Sequence, residues 1–332
     1  MSLPPILQDR LRLPVVAAPM FLVSNPDLVI AQCKAGVVGS FPALNARPKE
    51  ELEHWLSRIE TELAAYDAAH PQRPCAPFAV NQIVHRSNER LEHDLAMCVA
   101  HRVPIVITSL GARREVNDAV HAYGGITLHD VIDNTFARKA IEKGADGLIA
   151  VAAGAGGHAG VQSPFALIQE IRKWFDGPLL LSGAIARGSS ILAAQAMGAD
   201  LAYIGSPFIA TQEANALPAY KQMIVDCGAQ DIVYTDFFTG VLGNYLRPSI
   251  EANGLDPDDL PTAQAHKMDF TRPENAPKAW KNIWGCGQGI GAVDRVLSTA
   301  EFVRRLSDEY LASLQQTQRD AQSWRHKLST AP

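Results

Sequence analysis

Residues 152–160 run Ala-Ala-Gly-Ala-Gly-Gly-His-Ala-Gly, directly after an apolar stretch at 147–151 that has the character of a buried strand. Glycines on both sides of His158 let the backbone approach a flat ligand closely. They leave one imidazole as the side chain there able to carry a proton near neutral pH. A single histidine among ten is more often structural than catalytic. Its place between a strand and a glycine turn is what marks His158 as a candidate acid or base.

Two further glycine-ended strands point to an anion site. Leu-Leu-Leu-Ser-Gly183-Ala-Ile-Ala-Arg and Ala-Tyr-Ile-Gly205-Ser-Pro-Phe each place backbone N–H groups at a strand-to-helix turn, where free donors and a helix dipole converge. One such glycine is what any turn needs; two in consecutive strands favour phosphate binding. Arg187 admits two readings, a charge for that phosphate or an exposed residue opening a helix.

Other chemistries find no motif. The chain has no His-Glu-x-x-His pair, Gly-x-Ser-x-Gly elbow or Walker loop. Its five cysteines (Cys33, Cys75, Cys98, Cys227, Cys286) are scattered with no Cys-x-x-Cys pair, which argues against structural disulfides and a metal site. Gly285-Cys-Gly-Gln-Gly-Ile-Gly291 has the glycines of a dinucleotide loop but no surrounding βαβ unit, so it is expected to fold over the mouth of the site. Cys286 lacks an adjacent base and is expected to be a packed thiol. Trp280 and Trp284 fit either the mouth or loop anchors, and His85, His93 and His101, in or near a helix expected at 88–102, are expected at the surface.

These residues need strands to hold them. Short apolar runs recur at 15–19, 37–41, 78–82, 104–110, 125–130, 147–153, 179–183 and 201–206. Segments with helix-start signals lie between them, such as Asn25-Pro26 and Ser163-Pro164. Lys143-Gly-Ala-Asp and Met197-Gly-Ala-Asp repeat one junction of helix end, glycine cap and next strand, with Ala35-Gly-Val-Val-Gly a looser copy. Eight parallel strands with crossover helices predict an α/β fold, a (β/α)8 TIM barrel. The first 212 residues would form its core, 213–290 an insertion or lid over the mouth, and 291–332 a closing helix, with helical periodicity read from 292 to 323. Strand-end residues then line one mouth: Met20, Asn81, Gln82, Thr108, Ser109, His129, Asp130, His158, Ser182, Gly183, Gly205 and Ser206.

A 47% hydrophobic content over 332 residues supports a large core. The net charge of −5, with both signs intermixed, leaves no footprint for nucleic acid or an anionic membrane. No apolar run approaches a membrane span and the first residues lack a signal-peptide pattern, so a cytoplasmic protein, monomer or homodimer, is expected.

Ala17-Ala-Pro-Met20, the Gly-Gly-His158-Ala-Gly run, Leu-Ser-Gly183-Ala-Ile, Gly198 to Gly205 and Gly287-Gln288-Gly289 together resemble the nitronate monooxygenase, or 2-nitropropane dioxygenase-like, family over about residues 12–306. The resemblance implies an FMN-dependent barrel. Ala18, Pro19 and Met20 would lie along the flavin ring, with Asn81 hydrogen-bonded to it and Gly157, beside Ala155 and Gly156, packed against it. Gly183, Gly205 and Ser206, flanked by Ser182 and Ala184, would hold the phosphate, and Gln288 would close over the ring. His158 would be the catalytic acid or base, with Met20, Thr239 and Gly240 beside the substrate. Many relatives carry a lysine after the fifth strand; here His129-Asp130 stands instead, open to either a flavin-site or a structural role, and Gly285-Cys286 replaces the usual Ser-Ala. The implied reaction oxidises alkyl nitronates, with nitroalkanes as a further substrate class, using O2 to give carbonyl compounds and nitrite. The alternatives are an NAD(P)H:quinone or enoyl-thioester reductase of the same group, and a flavin-binding protein without turnover.

Overall fold

The computed structural model describes residues 3–262 and 281–329. Eight strands form one parallel sheet: β1 (Val15–Ala17), β2 (Gly39–Pro42), β3 (Phe78–Ile83), β4 (Ile105–Ser109), β5 (Ile126–Val131), β6 (Gly147–Val151), β8 (Leu179–Ser182) and β9 (Leu201–Ile204). The short β7 (Gly157–His158) lies outside it. Neighbours run β1-β9-β8-β6-β5-β4-β3-β2, and a bridge between Val16 and Val38 joins the two ends, closing a (β/α)8 barrel. Residues 37–38, expected inside the second strand, contribute only that bridge.

Side-chain parity sets what each strand offers. Leu128, Ile105, Ile107, Ile149, Leu180 and Tyr203 point into the barrel, where they pack with Val16, Val38 and Ala79. Their neighbours Val131, Leu148, Ala150, Leu181 and Ala202 pack outward against helices. Among those helices, α2 (Pro26–Ala35) starts where the Asn25 side chain accepts from Leu28 N and ends at Gly36 with φ 93°. The expected helix at 88–102 is α4 (Leu91–Ala100), and α8 (Gly188–Met197) also ends on a left-handed glycine, Gly198.

The chain after β9 passes through α9 (Ser206–Ile209) and α10 (Pro218–Asp226) into a hairpin, β10 (Ile232–Thr235) and β11 (Gly243–Leu246). β11 pairs antiparallel with β7, so the hairpin joins the glycine run in a three-stranded sheet. The closing helix α12 spans Thr299–Ser329, not 292–323. Ser298 and Glu301 cap it reciprocally: Ser298 N donates to Glu301 Oε2 at 3.0 Å and Glu301 N to Ser298 Oγ at 3.3 Å. Val293, Val296 and Leu297, expected on its apolar face, precede the helix. Phe302, Val303, Leu306 and Tyr310 make the packed face, whereas Leu311 is 54% exposed.

Candidate functional site

Three glycine loops meet above the barrel. Gln288 N donates to Gly154 O at 2.9 Å, Gly287 N to Ser206 Oγ at 2.7 Å, and Ala184 N to Gly154 O at 3.3 Å. No side chain fits at this junction. A Cβ on Gly287 would lie 2.5 Å from Gly154 O, one on Gly156 would lie 2.9 Å from Gly287 N, and one on Gly289 would meet Ala184 C at 2.8 Å. The 285–291 loop thus lies on the glycine run, with Cys286 buried beneath it and Gln288 exposed on top. Burial pushes the Cys286 thiol well above its ordinary range, which removes it as a nucleophile.

The hairpin supplies the partner of His158. Gly243 pairs with His158 and Asn244 with Gly157, while Asn244 Nδ2 donates to Ala155 O at 2.6 Å. His158 Nε2 lies 2.9 Å from Thr239 Oγ1, and Thr239 Oγ1 donates to Val241 O at 3.0 Å. A carbonyl only accepts, so the single hydroxyl proton of Thr239 goes to Val241 and its oxygen accepts from His158. This assigns the imidazole proton to Nε2 and a lone pair to Nδ1. Burial also pushes His158 down to about 4, so the ring is neutral at pH 7. Gly240, next to Thr239, is exposed.

The strand ends divide by parity. Asn81, Ser109, Asp130, Ser182, Tyr203 and Gly205 fall on the inner face; Gln82, Thr108 and His129 fall on the helix side. Gln82 donates to Cys98 Sγ at 3.2 Å, and His129 Nδ1 lies 2.6 Å from Thr108 Oγ1 in a site whose burial holds it at about 4. The structure therefore separates His129 from the mouth and leaves Asp130 in it. Asn81 Nδ2 donates to Ser109 Oγ at 2.7 Å, which donates to Asp130 Oδ2 at 2.5 Å.

Ala18, Pro19, Met20, Ser182, Gly183, Gly205 and Ser206 are half-buried at the ends of otherwise buried strands. Gly183 has φ 146°, and a Cβ there would meet Ala153 O at 2.9 Å. A Cβ on Gly205 would lie 3.3 Å from Ala18 Cβ and 3.7 Å from Met20 Sδ. Arg187 pairs with Glu309 of α12 at 3.5 Å, which supports its structural reading. His85, His93 and His101, expected at the surface, are half-buried and held by Ser87, Asp94 and Glu60. Trp284 stacks on Tyr220 at 4.9 Å, and Trp280 lies outside the described residues. Asn244 and Tyr203 escaped the sequence reading. No motif marks Asn244, whereas Tyr203 shares the inward parity of Leu201.

The geometry is that of a barrel with one polar, glycine-lined mouth, and solved structures share the barrel fold. A nitroalkane oxidase from Streptomyces ansochromogenes superposes with a TM-score of 0.78 at 25% identity, covering 94% of this chain and 99% of that one. FabK from Thermotoga maritima shares the fold with a TM-score of 0.75 at 21% identity, over 94% and 96%. The class is a (β/α)8 oxidoreductase. The nitronate monooxygenase family pattern matches residues 6–309, and the chain belongs to that family. The nitronate monooxygenase of Paraburkholderia phytofirmans is 27% identical, covering 91% of this chain and 93% of that protein. That of Neurospora crassa is 23% identical over 89% and 88%. The family is one of flavoenzymes, which implies a flavin cofactor. The mouth fits one: Gly183 and Gly205 form a cradle that a Cβ would fill, beside the Ser206 hydroxyl. Among the described residues no helix is long and apolar enough to cross a membrane.

Proposed function

We propose that the chain is an FMN-dependent nitronate monooxygenase that oxidises alkyl nitronates, and neutral nitroalkanes after deprotonation, with O2 to carbonyl compounds and nitrite. The observation that carries this reading is the neutral His158, pinned through Nε2 by Thr239 beside a glycine cradle. Gly183, Gly205 and Ser206 would hold the phosphate, with Ser182 and Ala184 shaping the turn. Ala18, Pro19, Met20, Asn81, Ala155, Gly156 and Gly157 would bound the ring, and Gln288 would cover it. When bound, FMN supplies the electron acceptor for the substrate carbon and the route of those electrons to dioxygen.

His158 Nδ1 takes the α-proton of a neutral nitroalkane, while Thr239 and Gly240 border the substrate with Met20. A base held at about 4 is a weak proton acceptor but is neutral at pH 7, and the new imidazolium pairs with the nitronate anion it has just produced.

Purified protein carrying FMN should consume O2 and release nitrite with an alkyl nitronate, and do so faster than it oxidises NADH or NADPH. Rapid NAD(P)H oxidation with a quinone or enoyl-thioester acceptor and no nitronate turnover would move the chain to the reductase reading.

A further inference from the structure

Asp130 is a titratable side chain of the mouth that neither the phosphate turns nor the His158–Thr239 contact employs. Asn81, Ser109 and Asp130 stand at the ends of three adjacent strands, β3, β4 and β5, all on the inner face. Their hydrogen bonds run in one direction. Asn81 donates to Ser109, so the serine proton is committed to Asp130 Oδ2. Asp130 Oδ1 is buried, and among the described residues no donor reaches it. A carboxylate with one bare oxygen in such a place is costly, whereas an acid O–H on Oδ1 turns that oxygen into a donor.

We propose that Asp130 serves the cofactor pocket as a carboxylic acid, donating a proton from Oδ1 to an acceptor atom of the flavin ring, with Ser109 and Asn81 as its positioning residues. This rests on reading the mouth as a flavin site. Burial raises Asp130 to about 6 against the opposing pull of Ser109, and a further hydrogen bond to the acid form raises it more. Tyr203 of β9 also senses Asp130, and its phenol is pushed up and stays protonated; Asn81 and Ser109 are uncharged.

The test is flavin affinity against pH for the full chain freed of cofactor, read by quenching of flavin fluorescence from pH 5 to 8. Riboflavin is used beside FMN because the second phosphate ionisation of FMN also falls near 6. Riboflavin affinity should fall above about pH 6, steepening towards tenfold per pH unit, because only the acid form donates. Asp130→Asn keeps a donor of the same shape and should bind with no such slope. Ser109→Ala removes the bond that favours the carboxylate and should move the fall to higher pH. A flat wild-type profile, or Asp130→Asn retaining the wild-type slope, would overturn the proposal while leaving the flavin reading intact. Failure of the wild-type chain to bind either flavin at any pH would overturn the flavin reading and the proposal with it.

Discussion

At the scale of single residues, the proposed chemistry depends on which nitrogen of His158 holds its proton. Thr239 decides this, because its own hydrogen is spent on Val241. Thr239→Val should therefore lower kcat with a neutral nitroalkane by about tenfold, the worth of one hydrogen bond of about 1.4 kcal/mol, while Thr239→Ser restores most of it. Steady-state rates on neutral nitroalkane check this, and an unaltered kcat in the valine variant contradicts it. The sequence singles out His158 as a lone imidazole among glycines, but not its contact with Thr239, since 81 positions separate them and only the hairpin joins them. The pair His129-Asp130 was half legible. Strand parity assigns Asp130 to the same face as Leu128 and His129 to the other, a distinction that adjacency in sequence conceals.

At the scale of elements, the mouth is built from turns that exclude side chains. Gly183→Val would place a branched residue at φ 146° and against Ala153 O, so the folded variant should retain little flavin after dialysis. Wild-type flavin content at matched concentration would remove Gly183 from the site. The eight strands were legible because each is a short, largely apolar run, and two of the helices between them start on capping side chains, Asn25 and Asp133. The start of α12 was misplaced for a physical reason: Val293 and Leu297 continue its apolar rhythm, yet they pack as extended chain, and the Ser298-x-x-Glu301 cap sets the boundary. Ser298→Ala should cost about 1 kcal/mol, read as a lower midpoint in denaturant unfolding. The pairing of the hairpin with the glycine run carries no local sequence signal, because a two-residue strand such as β7 forms only where a partner edge is supplied.

At the scale of the whole molecule, several buried ionisable groups make stability depend on pH. His129 and His158 are held near 4 in the fold and titrate near 6.5 when unfolded, so only the unfolded chain takes up those protons between these values. Each therefore withdraws stability as pH falls through that window, by about 3 kcal/mol at most. Asp130 acts in the opposite sense, since from about 6 down to its ordinary value near 4 the folded chain holds a proton that the unfolded chain does not. Two histidines outweigh one carboxyl. Tm should fall from pH 6.5 to 4.5, and His129→Gln should flatten that fall; a Tm that rises on acidification would contradict the balance. On the proposed reading the barrel converges one cofactor cradle and one neutral base on a single mouth, and the comparison of His158→Ala with wild type on two forms of one substrate tests this most directly. With FMN still bound, turnover of the neutral nitroalkane should fall by roughly 10²- to 10⁴-fold, whereas turnover of the preformed nitronate, already lacking the proton, should fall far less. Near-wild-type rates on both forms, with the flavin in place, would contradict it.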